Sequence, residues 1–433
     1  MTPPPTPYLG APGPVPAVPG PLPVGRAVPM PVVIPWHKRR GAQIGMSAAA
    51  VGVIALSGLV MLLVLGSTLG TPALVLAAAA ALLPLPVLVY AFVWLDRYEP
   101  EPWRYMAFAF AWGACVATAA AYFVNTLGDA VVKSIVGKNS TLASVLVAPP
   151  VEELAKAAPV FLLLILTLVG RRNIHGVVDG IVYAGMSAIG FAFTENVLYF
   201  GGQYLAASKN GTGRDGLVAL FWIFVLRGVF SPFAHPLFTC ITGIGVGIAV
   251  RTRRASVRVL APLGGLLLAM TLHGVWNLFA SSRDFSTIAL GYVVIMLPAF
   301  AAMVTVAVWV RSREAQVITE VLPAYAAAGW LTPREILSLS FMRGRRMARW
   351  WAKTTIGPSG ERAMRDYQFA ATRLALLRDA LTRGLTRPGT DFVEQERELL
   401  GALTAHRQIF LPYGLPPVAG LVPRKPRPYG PPH

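Results

Sequence analysis

Two adjacent glutamates and a lysine lie inside an apolar stretch of the sequence. They are Glu152, Glu153 and Lys156 in the segment APPVEELAKAAPVFLLL. Ionised side chains are costly in the hydrocarbon core of a bilayer, so they are rare there and usually functional. The four-residue spacing predicts that Glu152 and Lys156 share a helix face and form an ion pair, whereas Glu153 is turned about 100° away toward another neighbour. Glu152 and Glu153 are therefore candidate bases for activating a water molecule.

More polar side chains follow in the next apolar stretches. They are Glu195 and Asn196 in IGFAFTENVLYF, His235 in SPFAHPLFTC, and His273 and Asn277 in AMTLHGVWNLFA. Carboxylates and imidazoles together allow two routes to peptide-bond hydrolysis. In one, a glutamate acts as general base on water while a histidine and an asparagine stabilise the oxyanion. In the other, histidines and a glutamate hold a zinc ion. The sequence has no His-Glu-x-x-His motif, which excludes the conventional zinc-protease helix.

The composition shows what must position these residues. The chain is 55% hydrophobic and only 13% charged, whereas soluble domains carry about 25% charged residues. The formal net charge is +18, but most Lys and Arg lie beside apolar runs or in the C-terminal part. Such residues set topology and contact anionic lipid headgroups. This distribution predicts an all-α integral membrane protein and argues against nucleic-acid binding.

A helix needs about 20 apolar residues to cross a bilayer, and the sequence offers eight such stretches. They are 44–66, 72–95, 104–126, 144–169, 176–200, 228–250, 257–280 and 286–310. The Lys and Arg bias then predicts that both termini are cytoplasmic. At about 1.5 Å per residue, Glu152, Glu195, His235 and His273 come to one level, roughly 8–12 Å below the outer surface. The spacing thus predicts one hydrated polar site near the extracytoplasmic leaflet, with a helix break at Pro149-Pro150 at its mouth.

Four regions are predicted along the chain. A disordered Pro-rich arm covers 1–40, the polytopic domain 41–312, a soluble helical cytoplasmic tail 313–410, and a second disordered Pro-rich segment 411–433. In the tail, Thr332 followed by Pro333 and Glu335 is typical of a helix start. Two amphipathic helices are expected at about 361–383 and 391–406.

The polar motifs resemble those of the PrsW family of intramembrane proteases, within the wider group that includes the CAAX-prenyl proteases. The resemblance covers about 90–285 and rests on Glu152-Glu153-Leu154-Ala155-Lys156, Phe191 to Asn196, His235, and His273 to Asn277. It implies a multi-pass protease of the bacterial cytoplasmic membrane. It also implies a single-span membrane protein as substrate, such as an anti-sigma factor cut on the extracytoplasmic side. The family is often described as metalloproteases, while CAAX-type relatives look glutamate-dependent, so Zn²⁺ and metal-free mechanisms both stay open.

These observations give each residue an expected role. The catalytic residues are Glu152, Glu153, His273 and Asn277, the supporting residues are Lys156, Glu195 and Asn196, and the ligands of a metalloenzyme are His235, His273 and Glu195. Substrate identity and oligomeric state do not follow from the sequence.

Two other functions use the same residues. A proton-coupled transporter also buries Glu, Lys and His as a proton relay, but it predicts inverted repeats, and the sequence has no internal repeat. A non-catalytic membrane scaffold presenting the tail would tolerate loss of both glutamates. Outside the site, Asp179 is expected to be solvated near a span end, and Arg227 is expected to extend outward to the headgroups.

Overall fold

The computed structural model describes residues 36–137, 141–168, 174–282, 284–385, 390–418 and 420–421 of the 433-residue chain. Across these residues the regular structure is entirely helical, which confirms the predicted all-α class. Residues 1–35 of the predicted N-terminal arm and most of the predicted C-terminal Pro-rich segment lie outside the described residues. The chain divides into two compact units, Met1–Val51 and Gly52–His433, and the site and the tail both belong to the second.

The apolar part of the described chain is built from eleven helices. They are α1 Trp36–Leu82, α2 Leu85–Leu95, α3 Trp103–Ala111, α4 Thr118–Val136, α5 Ala148–Leu168, α6 Val177–Asn210, α7 Gly213–Phe224, α8 Ala234–Val250, α9 Ala255–Ala280, α10 Phe285–Gly291 and α11 Leu297–Ala327. Short π-helical turns flank several of them, and such turns are frequent at functional sites. One of them, Ala143–Val147, lies directly ahead of α5. The helix break expected at Pro149-Pro150 is wrong, because helical conformation continues from Leu142 through the π-helical turn into α5. The wider π-helical turn directly ahead of the prolines accommodates their missing N–H groups.

Within the described ranges, six helical stretches are long and apolar enough to cross a membrane, so the chain is a multi-pass membrane protein. They are Ala48–Leu95, Trp103–Val136, Val177–Asn210, Gly213–Val250, Ala255–Ala280 and Phe285–Ala327. The first has 48 residues, about 72 Å of helix against about 30 Å of hydrocarbon. Gly70 interrupts it with a φ of +68°, between the first two predicted spans. Helix α5 is missing from the six and carries three ionisable residues. The number eight stays a prediction.

Helix α6 lies at the centre of the membrane part. Its most apolar 18-residue window is 89% buried, against 11–33% for the other five stretches. Glycines let α6 and α8 touch backbone to backbone, as small residues do between membrane helices. A Cβ on Gly180 would lie 2.1 Å from the carbonyl oxygen of Gly243, and one on Gly243 would lie 2.2 Å from that of Gly180. This contact fixes the two helices that carry Glu195 and His235.

Gly180→Ala is therefore expected to destabilise the protein. Overpacking typically costs about 1–3 kcal/mol, and we expect at least this cost because the added Cβ would clash with backbone atoms, which cannot rotate away. The measurement is the unfolding midpoint of the purified protein in detergent. Gly202→Ala is the matched control, since Gly202 lies on the same helix and a Cβ there meets nothing within 4 Å. Equal midpoints for the two variants would show that the α6–α8 contact is looser than described.

The described residues of the tail form four further α-helices. They are α12 Pro333–Ser340, α13 Met342–Ile356, α14 Pro358–Thr382 and α15 Thr390–Phe410. The predicted helix start is confirmed, since Thr332 Oγ1 accepts from the Glu335 N–H at 3.2 Å and the Glu335 carboxylate accepts from the Thr332 N–H at 2.8 Å. Helices α14 and α15 match the two amphipathic stretches expected from the sequence, whereas α13 was not predicted.

The tail packs on a helix that continues out of the membrane part. Helix α11 runs without interruption through the predicted boundary at 312–313. Its C-terminal half buries Ile318 and Leu322 against Leu374 of α14 and Leu403 of α15, and Tyr98 from the α2–α3 connection joins the same apolar cluster. The predicted domain bounds stay predictions.

Candidate active site

Four helices bring the expected site residues together. Helix α5 supplies Glu152, Glu153 and Lys156, α6 supplies Glu195 and Asn196, α8 supplies His235, and α9 supplies His273 and Asn277. The rings of His235 and His273 lie 5.4 Å apart, centroid to centroid. Residues up to 125 positions apart in the sequence thus share one buried site.

Glu153 connects the site internally. It is fully buried, and its Oε1 lies 2.6 Å from Lys156 Nζ and 2.8 Å from His273 Nδ1. Its Oε2 accepts a hydrogen bond from Thr239 Oγ1 at 2.8 Å. Both carboxylate oxygens therefore have partners, and Glu153 fixes the positions of Lys156 and His273. Lys156 Nζ lies 3.7 Å from Glu152 Oε2, so the lysine pairs more closely with Glu153 than with the expected Glu152.

Glu152 has one oxygen in use and one free. It is buried, with 5% of its surface exposed, and its Oε1 accepts from Asn125 Nδ2 at 3.1 Å. Its Oε2 is buried and has no hydrogen-bond partner. This oxygen lies 3.7 Å from His273 Nε2. An unpaired buried carboxylate oxygen is costly, which makes this pair of atoms the natural place for a reacting water or a cation.

His235 is held from both sides. Its Nδ1 lies 3.1 Å from Lys156 Nζ, and its Nε2 lies 2.7 Å from Glu195 Oε2. Because an ammonium group can only donate, Nδ1 accepts and Nε2–H donates to Glu195. The ring also packs at 5.3 Å from that of Phe191.

Arg227 turns inward to the site. Its NH2 group pairs with Glu195 Oε2, and its Nε donates to Asn196 Oδ1 at 2.8 Å. The guanidinium also lies over the ring of Tyr199, 4.0 Å from its centroid. The expectation that Arg227 extends outward is wrong, because a partly buried carboxylate on α6 offers it a partner.

A cavity of about 330 Å³ lies between α4, α5, α6, α8 and α9. Glu152, Glu195, His235, His273 and Asn277 line it, while Glu153 and Lys156 do not. Asn277 Nδ2 donates to the Ser144 carbonyl at 2.8 Å, which ties α9 to the π-helical turn ahead of α5. Of the two adjacent glutamates, Glu152 is the one that faces the cavity.

A metal ion can be tested against these donors. The ligand atoms of Glu152, His235 and His273 lie within 4.8 Å of one another. Two imidazoles and a carboxylate are a zinc donor set. The Nδ1–H group of His273 donates a hydrogen bond to Glu153, which is the arrangement that orients zinc-bound histidines. In addition, Glu152 Oε2 has no hydrogen-bond partner. The residues fit zinc once His235 releases Lys156 or Glu195. Glu195, expected as the third ligand, is engaged by Arg227 and His235.

Sequence reasoning missed three residues of the site. Asn125 on α4 and Thr239 on α8 hydrogen-bond the two adjacent glutamates, and Arg227 pairs with Glu195. Thr239 lies four residues after His235, so helical spacing could have found it. Asn125 is an amide within an apolar run, which is the same signal that identified Asn277.

Residues 101–303 match the model of a protein family described as PrsW family intramembrane metalloprotease. This span contains every expected site residue, from Glu152 to Asn277, and confirms the resemblance found in the motifs. Comparisons with curated proteins and with solved structures gave no match.

Proposed function

Because residues 101–303 match the model of the PrsW family of intramembrane metalloproteases, we propose that this protein hydrolyses membrane-anchored proteins with a water activated at Glu152. The observation that carries the proposal is the unpaired Oε2 of Glu152, a residue that lines the cavity, at 3.7 Å from His273 Nε2. A water placed between these two atoms meets a proton acceptor on each side.

The two glutamates have different tasks. Glu152 takes a proton from the attacking water. Glu153 positions His273 by accepting a hydrogen bond from its Nδ1–H group. The other ring nitrogen, Nε2, then carries a lone pair on the side of Glu152 Oε2. That lone pair can accept a proton or bind a metal, and it must be protonated before it can hydrogen-bond an oxyanion. Proton transfer from Glu152 to His273 would create that donor when it is needed.

The charges of the site support a bound cation. Three carboxylates, Glu152, Glu153 and Glu195, meet two permanent cations, Lys156 and Arg227. One positive charge is still required, and an imidazolium or a metal ion can supply it. In the metal alternative, a zinc ion held by Glu152, His235 and His273 would act as a Lewis acid toward water and the substrate carbonyl, and Glu152 would be its ligand instead of the base. The protein's own part is to hold the ligands and keep the site away from bulk water.

We further propose that the substrate is a single-span protein of a bacterial cytoplasmic membrane, of the anti-sigma-factor kind, cut near the extracytoplasmic leaflet. The cavity lining supports this side, since it extends to Thr126 and Asp129 toward the end of α4. Thr126 lies on the surface of the protein, and the side chain of Asp129 is 42% exposed. The Lys and Arg bias assigns that end of α4 to the outside and both termini to the cytoplasm.

Chelation separates the two mechanisms. The full-length protein is reconstituted in vesicles with a panel of doubly tagged single-span membrane proteins, and cleavage is followed by loss of the full-length band. We expect 1,10-phenanthroline to stop cleavage and added Zn²⁺ to restore it, with the non-chelating 1,7-isomer as control. Cleavage that survives chelation would establish the metal-free glutamate mechanism. Absence of cleavage of any panel member, together with proton flux across the vesicles, would favour the transporter alternative.

A further inference from the structure

A second group of ionisable side chains lies where the membrane helices meet the tail. We name it the loop cluster. It consists of Asp96, Glu99 and Glu101 in the α2–α3 connection, and of His175 and Asp179 at the start of α6. His175 Nδ1 lies 3.8 Å from Glu99 Oε1 and 3.6 Å from Asp179 Oδ2. The hydroxyl of Tyr183 donates to Glu101 Oε2 at 2.6 Å.

The loop cluster is separate from the candidate active site. Asp179 and Glu195 lie on the same helix, sixteen residues apart. This spacing corresponds to about 24 Å along α6. The expectation that Asp179 is solvated is wrong, because only 3% of it is exposed. It caps α6 by accepting from the backbone N–H groups of His175 at 2.6 Å and Gly176 at 3.3 Å.

Two buried polar atoms of the loop cluster have no hydrogen-bond partner. One is Asp96 Oδ1, in a residue that is only 3% exposed and whose Oδ2 accepts from the Glu101 N–H at 2.6 Å. The other is His175 Nδ1. Native proteins pair nearly all such buried atoms. An acceptor oxygen and an imidazole nitrogen left unpaired among carboxylates are what a cation would bind.

The cluster also contains more carboxyl groups than basic side chains. Burial, together with the charge of Asp179, raises the pKa of both Asp96 and Glu101 to about 9. Glu314 of α11 adds another carboxylate within electrostatic range of Asp96, Glu99 and Asp179.

We propose that Glu101, His175 and Asp179 bind a divalent first-row transition-metal cation, with Asp96 beside it. One ligand atom from each of the three lies within 4.8 Å of the other two. Carboxylate oxygens with an imidazole nitrogen suit zinc, manganese or iron, whereas magnesium and calcium prefer oxygen alone. Such a cation would give the unpaired Nδ1 of His175 a partner and add positive charge beside the unpaired Oδ1 of Asp96.

Arg373 of the tail helix α14 competes for the same groups. Its Nε lies 3.1 Å from Glu99 Oε1, and its NH2 group lies 2.8 Å from His175 Nε2. Because a guanidinium can only donate, Nε2 accepts, and His175 carries its proton on Nδ1. Metal binding at Nδ1 moves that proton to Nε2 and breaks the contact with Arg373. The metal and the tail thus oppose each other at His175.

The test is a Co²⁺ titration of the full-length protein, purified without a His tag, in the background His235→Gln/His273→Gln. This background removes both imidazoles from the candidate active site. Co²⁺ that still binds to the doubly substituted protein is therefore assigned to the loop cluster. We expect about one equivalent of Co²⁺, visible in its absorption spectrum. Adding His175→Gln should weaken binding at least about tenfold, while adding His406→Gln on α15 should leave it unchanged.

Two further results decide the proposal. Arg373→Gln should tighten Co²⁺ binding, which distinguishes a metal site from a cluster that Arg373 alone neutralises. Gel filtration identifies variants that fail to fold, and for those Glu101→Gln replaces His175→Gln. A background protein that binds no Co²⁺, or binding that neither His175→Gln nor Glu101→Gln weakens, would overturn the proposal.

Discussion

Glu152→Gln is expected to lower the cleavage rate by a factor of about 10²–10⁴ while the protein keeps its fold. General-base catalysis contributes rate factors of this size, and glutamine preserves the shape of the side chain but cannot accept the proton. Asn125 can still hydrogen-bond the amide oxygen in place of Glu152 Oε1, so little structural change is expected. The measurement is the initial cleavage rate of the best panel substrate in vesicles, with the unfolding midpoint as a check on the fold.

Two variants make the result specific. Glu394→Gln removes one carboxylate from the exposed face of α15 and should leave the rate unchanged. Glu152→Asp keeps the carboxylate but withdraws it by one methylene, so it should retain partial activity. If Glu152→Gln cleaves as fast as the parent protein, Glu152 is neither the base nor a required ligand.

The sequence predicted which residues share the site because membrane burial makes each of them expensive. A glutamate or histidine inside an apolar run has to find partners, and the nearest candidates lie at similar depth on neighbouring spans. Helical spacing also placed His273 and Asn277 on one face of α9, and both line the cavity. The helical class followed for the same reason, since helices satisfy their own backbone in lipid.

The sequence could not predict which partner each charged group takes. Lys156 lies three residues from Glu153 and four from Glu152, and helical spacing allows both pairs. Which glutamate pairs with Lys156 depends on Thr239 of α8 and His273 of α9. Both form hydrogen bonds with the Glu153 carboxylate and fix its position. Arg227 turned inward because Glu195 was available on a different helix. Asp179 is buried because residues distant in sequence cover it, a contact that no local pattern encodes.

Glu153→Ala is expected to destabilise the protein by about 3–5 kcal/mol, the usual effect of removing one partner from a buried ion pair. The reason is the ammonium group of Lys156, which is fully buried 2.6 Å from Glu153 Oε1. Without Glu153 it keeps Glu152 at 3.7 Å, the neutral acceptor His235 Nδ1 at 3.1 Å and the ring of Phe191 at 4.4 Å from its centroid, and none of these neutralises it as closely as Glu153 does. The measurement is the unfolding midpoint in detergent.

The double variant Glu153→Ala/Lys156→Met should recover most of the lost stability, because it removes the unpaired charge as well. It should not recover cleavage, since His273 still lacks the carboxylate that positions it. The pair Asp129 and Lys133 on α4 is the control, because each side chain is 42% exposed and Asp129→Ala should cost no more than about 1 kcal/mol. If Glu153→Ala costs no more than Asp129→Ala, the charges of the site are better hydrated than their burial indicates. Stability regained without activity would instead show that Glu153 serves both the fold and the chemistry, and that only its ion pair with Lys156 can be replaced by apolar packing.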